Sequence, residues 1–154
     1  MSIKIKVKKI HEDAIIPKYA YPTDSGFDLY TYKNTYIKPN EKTIIKTGLA
    51  FGLPKEWGVQ IKNKSGITVK GVPTINGERA DITVYEGTID SNYIGEIGIM
   101  VKNETDKEII IPKHTKVAQG VLRKVHNSIF ELVDELEETD RGTGGYGSTG
   151  TTVN

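Results

Sequence analysis

The run Glu96-Ile97-Gly98-Ile99-Met100-Val101-Lys102-Asn103 sets its branched aliphatic residues at Ile97, Ile99 and Val101. A spacing of two turns them to one face of an extended chain, where a helix would need a spacing of three or four. The same alternation appears at Ile3, Ile5 and Val7 and at Trp57, Val59 and Ile61, with Gly, Pro or Asn between the runs. Further β-rich pieces lie at 43–51, 82–85, 108–111 and 116–125, and no long stretch carries the stripe of an amphipathic helix. The pattern predicts an all-β fold, a sandwich or jelly roll. Residues 129–136 (IFELVDEL) fit two helical turns or a final strand, and the strand is the expectation.

Working outward, 154 residues make one domain with room for a hydrophobic core. Lys and Arg number 21 against 20 Asp and Glu, a net charge of +1. No global field exists to hold a nucleic-acid backbone or an anionic membrane, so any phosphate site must be local. Arginine, the residue suited to bidentate phosphate contacts, occurs only at Arg79, Arg123 and Arg141. Cysteine is absent, which excludes disulfides, thiolate zinc sites and a cysteine nucleophile. Apolar runs are short and the amino terminus MSIKIKVKKI alternates, so neither a membrane span nor a signal peptide is expected. The implied location is cytoplasmic. Two matches to the glycosylation pattern, at Asn63 and Asn103, carry no meaning without secretion. His11, His114 and His126 lack metal-ligand spacing and read as surface or half-buried residues. Lys4, Lys6, Lys8 and Lys9 read as the solvated face of an edge strand.

From Thr139 the chain becomes TDRGTGGYGSTGTTVN, whose composition alone describes a loose terminus. Gly142-Thr143-Gly144-Gly145-Tyr146-Gly147 fits the dinucleotide fingerprint G-x-G-x-x-G, but too few residues follow to build the required helix. A Gly-rich arm with one guanidinium (Arg141), two hydroxyls (Ser148, Thr149) and one aromatic ring (Tyr146) nevertheless suits a nucleotide. Upstream, Gly87-Thr88-Ile89-Asp90-Ser91-Asn92-Tyr93-Ile94-Gly95-Glu96 holds a carboxylate that Ile89 and Ile94 could shield, although a lone Asp in a turn is ordinarily a turn former. Asp24-Ser25-Gly26-Phe27-Asp28-Leu29 supplies a second carboxylate, and Asn63-Lys64-Ser65-Gly66 a cation, a hydroxyl and a glycine amide.

TDSGFDLY, KSG, GTIDSNYIGE, KVAQG and RGTGGYGSTG, in that order, resemble the five motifs of the homotrimeric dUTPases, over a span from about Tyr19 to Gly150. The resemblance implies a distorted jelly-roll (β-clip) core over 1–138 and a flexible C-terminal arm over 139–154. It also implies a Mg²⁺-dependent dUTP diphosphatase that releases dUMP and pyrophosphate, keeping uracil out of DNA and supplying dUMP for dTMP synthesis. By the same resemblance Asp90 is the general base for a water attacking the α-phosphorus. Tyr93 packs under the deoxyribose. The hairpin at Val84, Gly87 and Ile89 reads the uracil edge, and Tyr146 closes over it. Lys64, Ser65, Gly66 and Gln119 take the inner phosphates; Arg141, Gly147, Ser148 and Thr149 take the γ-phosphate. Asp28 steadies the water shell of a Mg²⁺ held mainly by the triphosphate. Three subunits share three sites. The family also occurs in phages, so the compartment implied is the cytoplasm of a bacterium or of a phage-infected host.

The pattern departs from the family in three places. Lys64 replaces the usual Arg, exchanging a planar fork for a point charge. His114-Thr115-Lys116 precedes Val117-Ala118-Gln119 in place of a Gly-Asp-Arg-like lead, and Gly120 stands where a larger apolar residue is usual. Residues 70–82 look longer than the family's spacing, which predicts an inserted hairpin or loop, either idle or, over 73–80, a surface for a protein partner. The related dCTP deaminases are an alternative, but their catalytic Glu would fall on Met100, which cannot carry protons.

Overall fold

The computed structural model describes residues 2–153, so Met1 of the expected core and Asn154 of the expected arm lie outside the described residues. In chain order the elements are β1 (Lys6–Lys9), β2 (Phe27–Tyr30), β3 (Thr35–Ile37), β4 (Lys42–Gly52), β5 (Trp57–Lys62), α1 (Ser65–Lys70), β6 (Val72–Pro73), β7 (Arg79–Ala80), β8 (Ile82–Val84), β9 (Gly87–Ile89), β10 (Glu96–Asn103), β11 (Ile109–Ile111) and β12 (Lys116–Lys124). Two four-stranded antiparallel sheets, ordered β1-β4-β10-β8 and β2-β12-β5-β9, face each other, and β3-β11 and β6-β7 add two short ladders. No helix among the described residues is long and apolar enough to cross a membrane.

The alternating runs supply the core. Ile97, Ile99 and Val101 of β10 are 1%, 0% and 0% exposed, and they meet Val59 and Ile61 of β5 with Leu29 of β2 in one buried cluster. Ile3, Ile5 and Val7 are half-buried while Lys4, Lys6 and Lys8 face solvent, as expected of the edge strand β1. Asn103 closes the far end of β10. Its amide donates to the carbonyls of Ile37, Lys38 and Lys107, and its oxygen accepts from the Thr105 backbone and hydroxyl. The residue is fully buried, which disposes of it as a sugar acceptor.

The short residue at Gly120 has a steric cause. A Cβ built there would come within 2.4 and 2.5 Å of the Phe27 ring and 3.1 Å of Val59. That ring is wedged edge-on between Tyr19 and Phe51 and has nowhere to go. Phe27 occupies the volume that a larger residue at 120 would fill. Gly120→Ala is expected to lose about 1–3 kcal/mol by overpacking, read as a lower midpoint in denaturant melts. Phe27→Leu in the same chain should recover part of the loss, because the two positions share one volume.

One sequence expectation needs correction. Residues 129–136 form no strand and no helix; Ile129, Phe130 and Leu132 are 98%, 94% and 98% exposed. A strand requires a partner ladder, and the described protomer presents none to this segment. The exposed part of the chain thus begins near His126, upstream of Thr139. The six-residue helix α1, with only Ile67 buried, was absent from the strand pattern because one and a half turns cannot display a period. The segment after Lys70 does form a hairpin, with Val72 opposite Ala80 and Pro73 opposite Arg79. All three histidines are exposed, and His11 stacks on Tyr32.

Candidate active site

The register of the second sheet gathers three of the five motifs. Gln119 of β12 stands opposite Asp28 of β2 on one side and Lys62 of β5 on the other. Gln119 Nε2 donates to the Asn63 carbonyl at 2.8 Å, tying the end of β5 to β12. Gly26 makes room for it, since a Cβ there would meet the Gln119 amide oxygen at 2.3 Å. Lys64 then reaches back to Asp28 Oδ1, and Lys116 Nζ lies 3.2 Å from Asp28 Oδ2. The Asp28 side chain is 4% exposed, so its charge is held out of water by two ammonium groups. That pairing raises the Lys116 pKa, first through the hydrogen bond to Asp28 and then through its charge. Ser65 and Gly66 follow at the start of α1, both exposed, with open space above the Gly66 Cα.

A second surface forms beside β9. Gly87, Ile89 and Tyr93 line a cavity of about 300 Å³ together with Ile61, Gly98 and Met100. Val84 is buried one strand away and lies outside that lining. Asp90 leaves β9 exposed, and its carbonyl accepts the Tyr93 N–H at 3.1 Å in a tight turn. The Tyr93 hydroxyl donates to the Glu96 carbonyl at 2.8 Å, which lays the ring across Gly95; a Cβ at Gly95 would sit 2.7 Å from the phenol oxygen. Ile89 is buried beneath the loop, but Ile94 is 77% exposed, so only one of the two expected shields acts within the protomer.

These surfaces are offset along β5, with Gly87 opposite Ile61 and Asp90 beyond Ile89. Ile89 pairs with Val59, whereas Lys64 follows the end of the strand at Lys62; at roughly 3.3 Å per residue the separation is at least about 10 Å along the strand. The arm is a third surface. Arg141 Nε donates to the Gly144 carbonyl at 2.7 Å, Ser148 N donates to the Gly145 carbonyl at 3.1 Å, and Gly147 has φ 90°. Tyr146 stands fully in solvent, and Thr149 is exposed beside it. Among the described residues no hydrogen bond joins this arm to the body. One protomer therefore brings Asp28, Lys64, Ser65, Gly66 and Gln119 together, places Asp90, Gly87, Ile89 and Tyr93 elsewhere, and leaves Arg141, Tyr146, Gly147, Ser148 and Thr149 outside both.

The model of the dUTPase family matches residues 12–150. The chain belongs to the dUTPase family. It is 38% identical over 152 residues to the deoxyuridine 5'-triphosphate nucleotidohydrolase of Syntrophotalea carbinolica, covering 97% of this chain and 98% of that protein. Its fold is similar to that of a mutant dUTPase of Staphylococcus bacteriophage 80alpha bound to dUpNHpp, with a TM-score of 0.84, 24% identity, and coverage of 96% and 99%. It is also similar to a mutant dUTPase from phage phi11 of S. aureus, described for its coordination of a structural Mg(II) ion, with a TM-score of 0.74, 24% identity, and coverage of 88% and 99%.

In this dUTPase the residues suit a metal carried in by its ligand. No group of three His, Cys, Asp or Glu side chains gathers among the described residues. Asp28 has spent one lone pair on each oxygen, and its remaining acceptor capacity would reach the waters of a hydrated cation once Lys64 or Lys116 swings away. Lys116 is the site residue that sequence reading missed. In a regular strand it would share a face with Ala118 and turn away from Gln119. A bulge between Lys116 and Ala118 shifts the register by one and turns Lys116 onto the face of Asp28 and Gln119. Alternation alone gave no sign of that bulge.

Proposed function

We propose that this chain hydrolyses dUTP to dUMP and pyrophosphate at a site assembled between subunits. The family supports the reaction, and one observation motivates the assembly: the arm that carries Arg141 and Tyr146 makes no hydrogen bond, among the described residues, to the Asp28 cluster or to the Asp90 surface of its own protomer. The exposed apolar stretch 129–136 and an open cleft of about 540 Å³, lined in part by Ile3, Ile5, Ile16 and Leu122, are complementary features that a homotrimer would cover.

Within that assembly the cavity beside β9 takes the nucleoside. Gly87 and Ile89 face the uracil and deoxyribose, with Tyr93 held flat by Glu96 so that its ring stands where a 2′-hydroxyl would clash. Val84 supports that hairpin from within. Asp90 accepts a proton from the attacking water, and its exposed, unencumbered carboxylate suits that task. Lys64, Ser65, Gly66, Gln119 and the additional Lys116 bind the inner phosphates. The arm, 139–154, then closes as a lid, bringing Arg141, Gly147, Ser148 and Thr149 to the γ-phosphate and Tyr146 over the base. Bound Mg²⁺ would neutralise triphosphate oxygens and polarise the α-phosphorus, and Asp28 would hold its water shell.

Deaminase chemistry is disfavoured by position: Met100 lines the nucleoside cavity, 3.5 Å from the Cβ position of Gly87, and offers only a thioether. The deciding experiment measures pyrophosphate release from dUTP, dCTP, dTTP and UTP with Mg²⁺, and ammonia release from dCTP. Selective turnover of dUTP is expected. Equal turnover of UTP would remove the role given to Tyr93, and ammonia from dCTP would sink the assignment.

A further inference from the structure

The expected insertion after α1 delivers its one arginine to a particular place. The β6–β7 register fixes Arg79 opposite Pro73, and Arg79 Nη1 donates to the Gly71 carbonyl at 2.8 Å. Gly71 permits this junction: its φ is 77°, and a Cβ there would lie 2.6 Å from the Ala80 carbonyl oxygen. The guanidinium is thus anchored through one of its five N–H groups, with the side chain still exposed.

Arg79 lines an open cleft of about 520 Å³ with Lys64, Gly66, Lys70, His114 and Lys116. Four permanent cations border this space and no carboxylate does. The nearby acid, Asp28, is 3% exposed and already paired with Lys64 and Lys116. On a chain of net charge +1, such a concentration of one sign is local and marks a polyanion site. The cleft is continuous with the inner-phosphate residues Lys64, Gly66 and Lys116, so its occupant lies next to the triphosphate.

We propose that Arg79, assisted by Lys70, recognises the pyrophosphate moiety, both as the β,γ end of bound dUTP and as the released product. This rests on the phosphate-side assignment made above. It gives the hairpin, read from sequence as either idle or a surface for a protein partner, a role in substrate and product binding. Because Lys64 and Lys116 are point charges, Arg79 is the one planar fork that this cleft offers to a diphosphate.

The test is calorimetric titration of the full chain with inorganic pyrophosphate, with dUMP and with dUpNHpp, alongside steady-state kinetics on dUTP. Arg79→Ala is expected to weaken pyrophosphate and dUpNHpp about tenfold, the size of one charge-assisted bidentate contact, and to raise the KM for dUTP similarly. dUMP affinity should not change. Arg79→Lys should fall between, keeping charge without the fork. Lys70→Gln, which leaves the Gly71 contact intact, should weaken pyrophosphate two- to threefold and guards against a misfolded hairpin in the alanine variant. Pyrophosphate binding at the native level in both Arg79→Ala and Lys70→Gln, or an equal loss of dUMP, overturns the proposal. If the native chain binds pyrophosphate through Arg79 but does not turn over dUTP, the assigned reaction fails while the anion site stands. Turnover with an Arg79→Ala variant indistinguishable from native defeats the anion site alone.

Discussion

Asp90→Asn is expected to lower kcat for dUTP by about 10²- to 10⁴-fold, the range that removal of a positioned general base produces. The substitution keeps shape and volume and removes only the ability to accept a proton. Asp90 is exposed in the protomer and contributes its backbone carbonyl, not its carboxylate, to the turn that holds Tyr93. The thermal midpoint and the affinity for dUpNHpp should therefore stay near native, and single-turnover pyrophosphate release isolates the chemical step. A variant within tenfold of native would remove Asp90 from the mechanism. The environment matters as well as the group. Ile94 is 77% exposed in the single chain, so Asp90 stands partly in water in the protomer, and on the proposed assembly a second subunit or the arm would cover it. Its activity should fall when assembly is lost even though the residue itself is untouched.

How much of this was legible in the sequence follows from how each element is stabilised. Ile97, Ile99 and Val101 announce β10 because each is fully withdrawn from water within the same chain, so pattern and burial coincide. The stretch Ile129 to Leu136 shows similar apolar content, yet its side chains lie exposed, because nothing described in this protomer packs over it. Sequence reading assigned it a strand from composition without being able to see whether a ladder was available. Lys116 escaped notice for a different reason. Its orientation depends on a one-residue bulge, and a bulge reverses facing without changing residue types. The motifs themselves were easier to find than to interpret. Asp28 reads in sequence as a free carboxylate between apolar neighbours, but in the fold it is neutralised by Lys64 and Lys116. Lys64 thus supplies a counter-ion to Asp28, a duty that residue type alone does not reveal, beside the phosphate contact proposed for it.

Truncating the chain in two steps separates the catalytic duty proposed for the arm from the assembly duty proposed for residues 129–136. A chain ending at Glu138 loses Arg141, Tyr146, Gly147, Ser148 and Thr149, all of which lie in exposed turns without hydrogen bonds to the body among the described residues. Its fold and its association should be unchanged, since nothing buried is removed. Its kcat/KM for dUTP should fall by about 10²-fold or more. The lost charge-assisted contacts to phosphate are worth about 1.5–3 kcal/mol each, and stacking of the base on Tyr146 about 1–3 kcal/mol. Ordering fifteen or so flexible residues offsets part of that sum. A chain ending at Val125 goes further and removes the apolar stretch from Ile129 to Leu136. If that stretch fills the open cleft near Ile5 and Leu122 of a neighbouring subunit, sedimentation should show the assembly falling apart and the N-terminal strand loosening. Hydrolysis should then drop below that of the Glu138 truncation, because the Asp28 cluster and the Asp90 surface would no longer meet. A Val125 truncation that remains assembled would show that the sheets alone hold the subunits together, and the exposed segment would then serve only to carry the arm to its site.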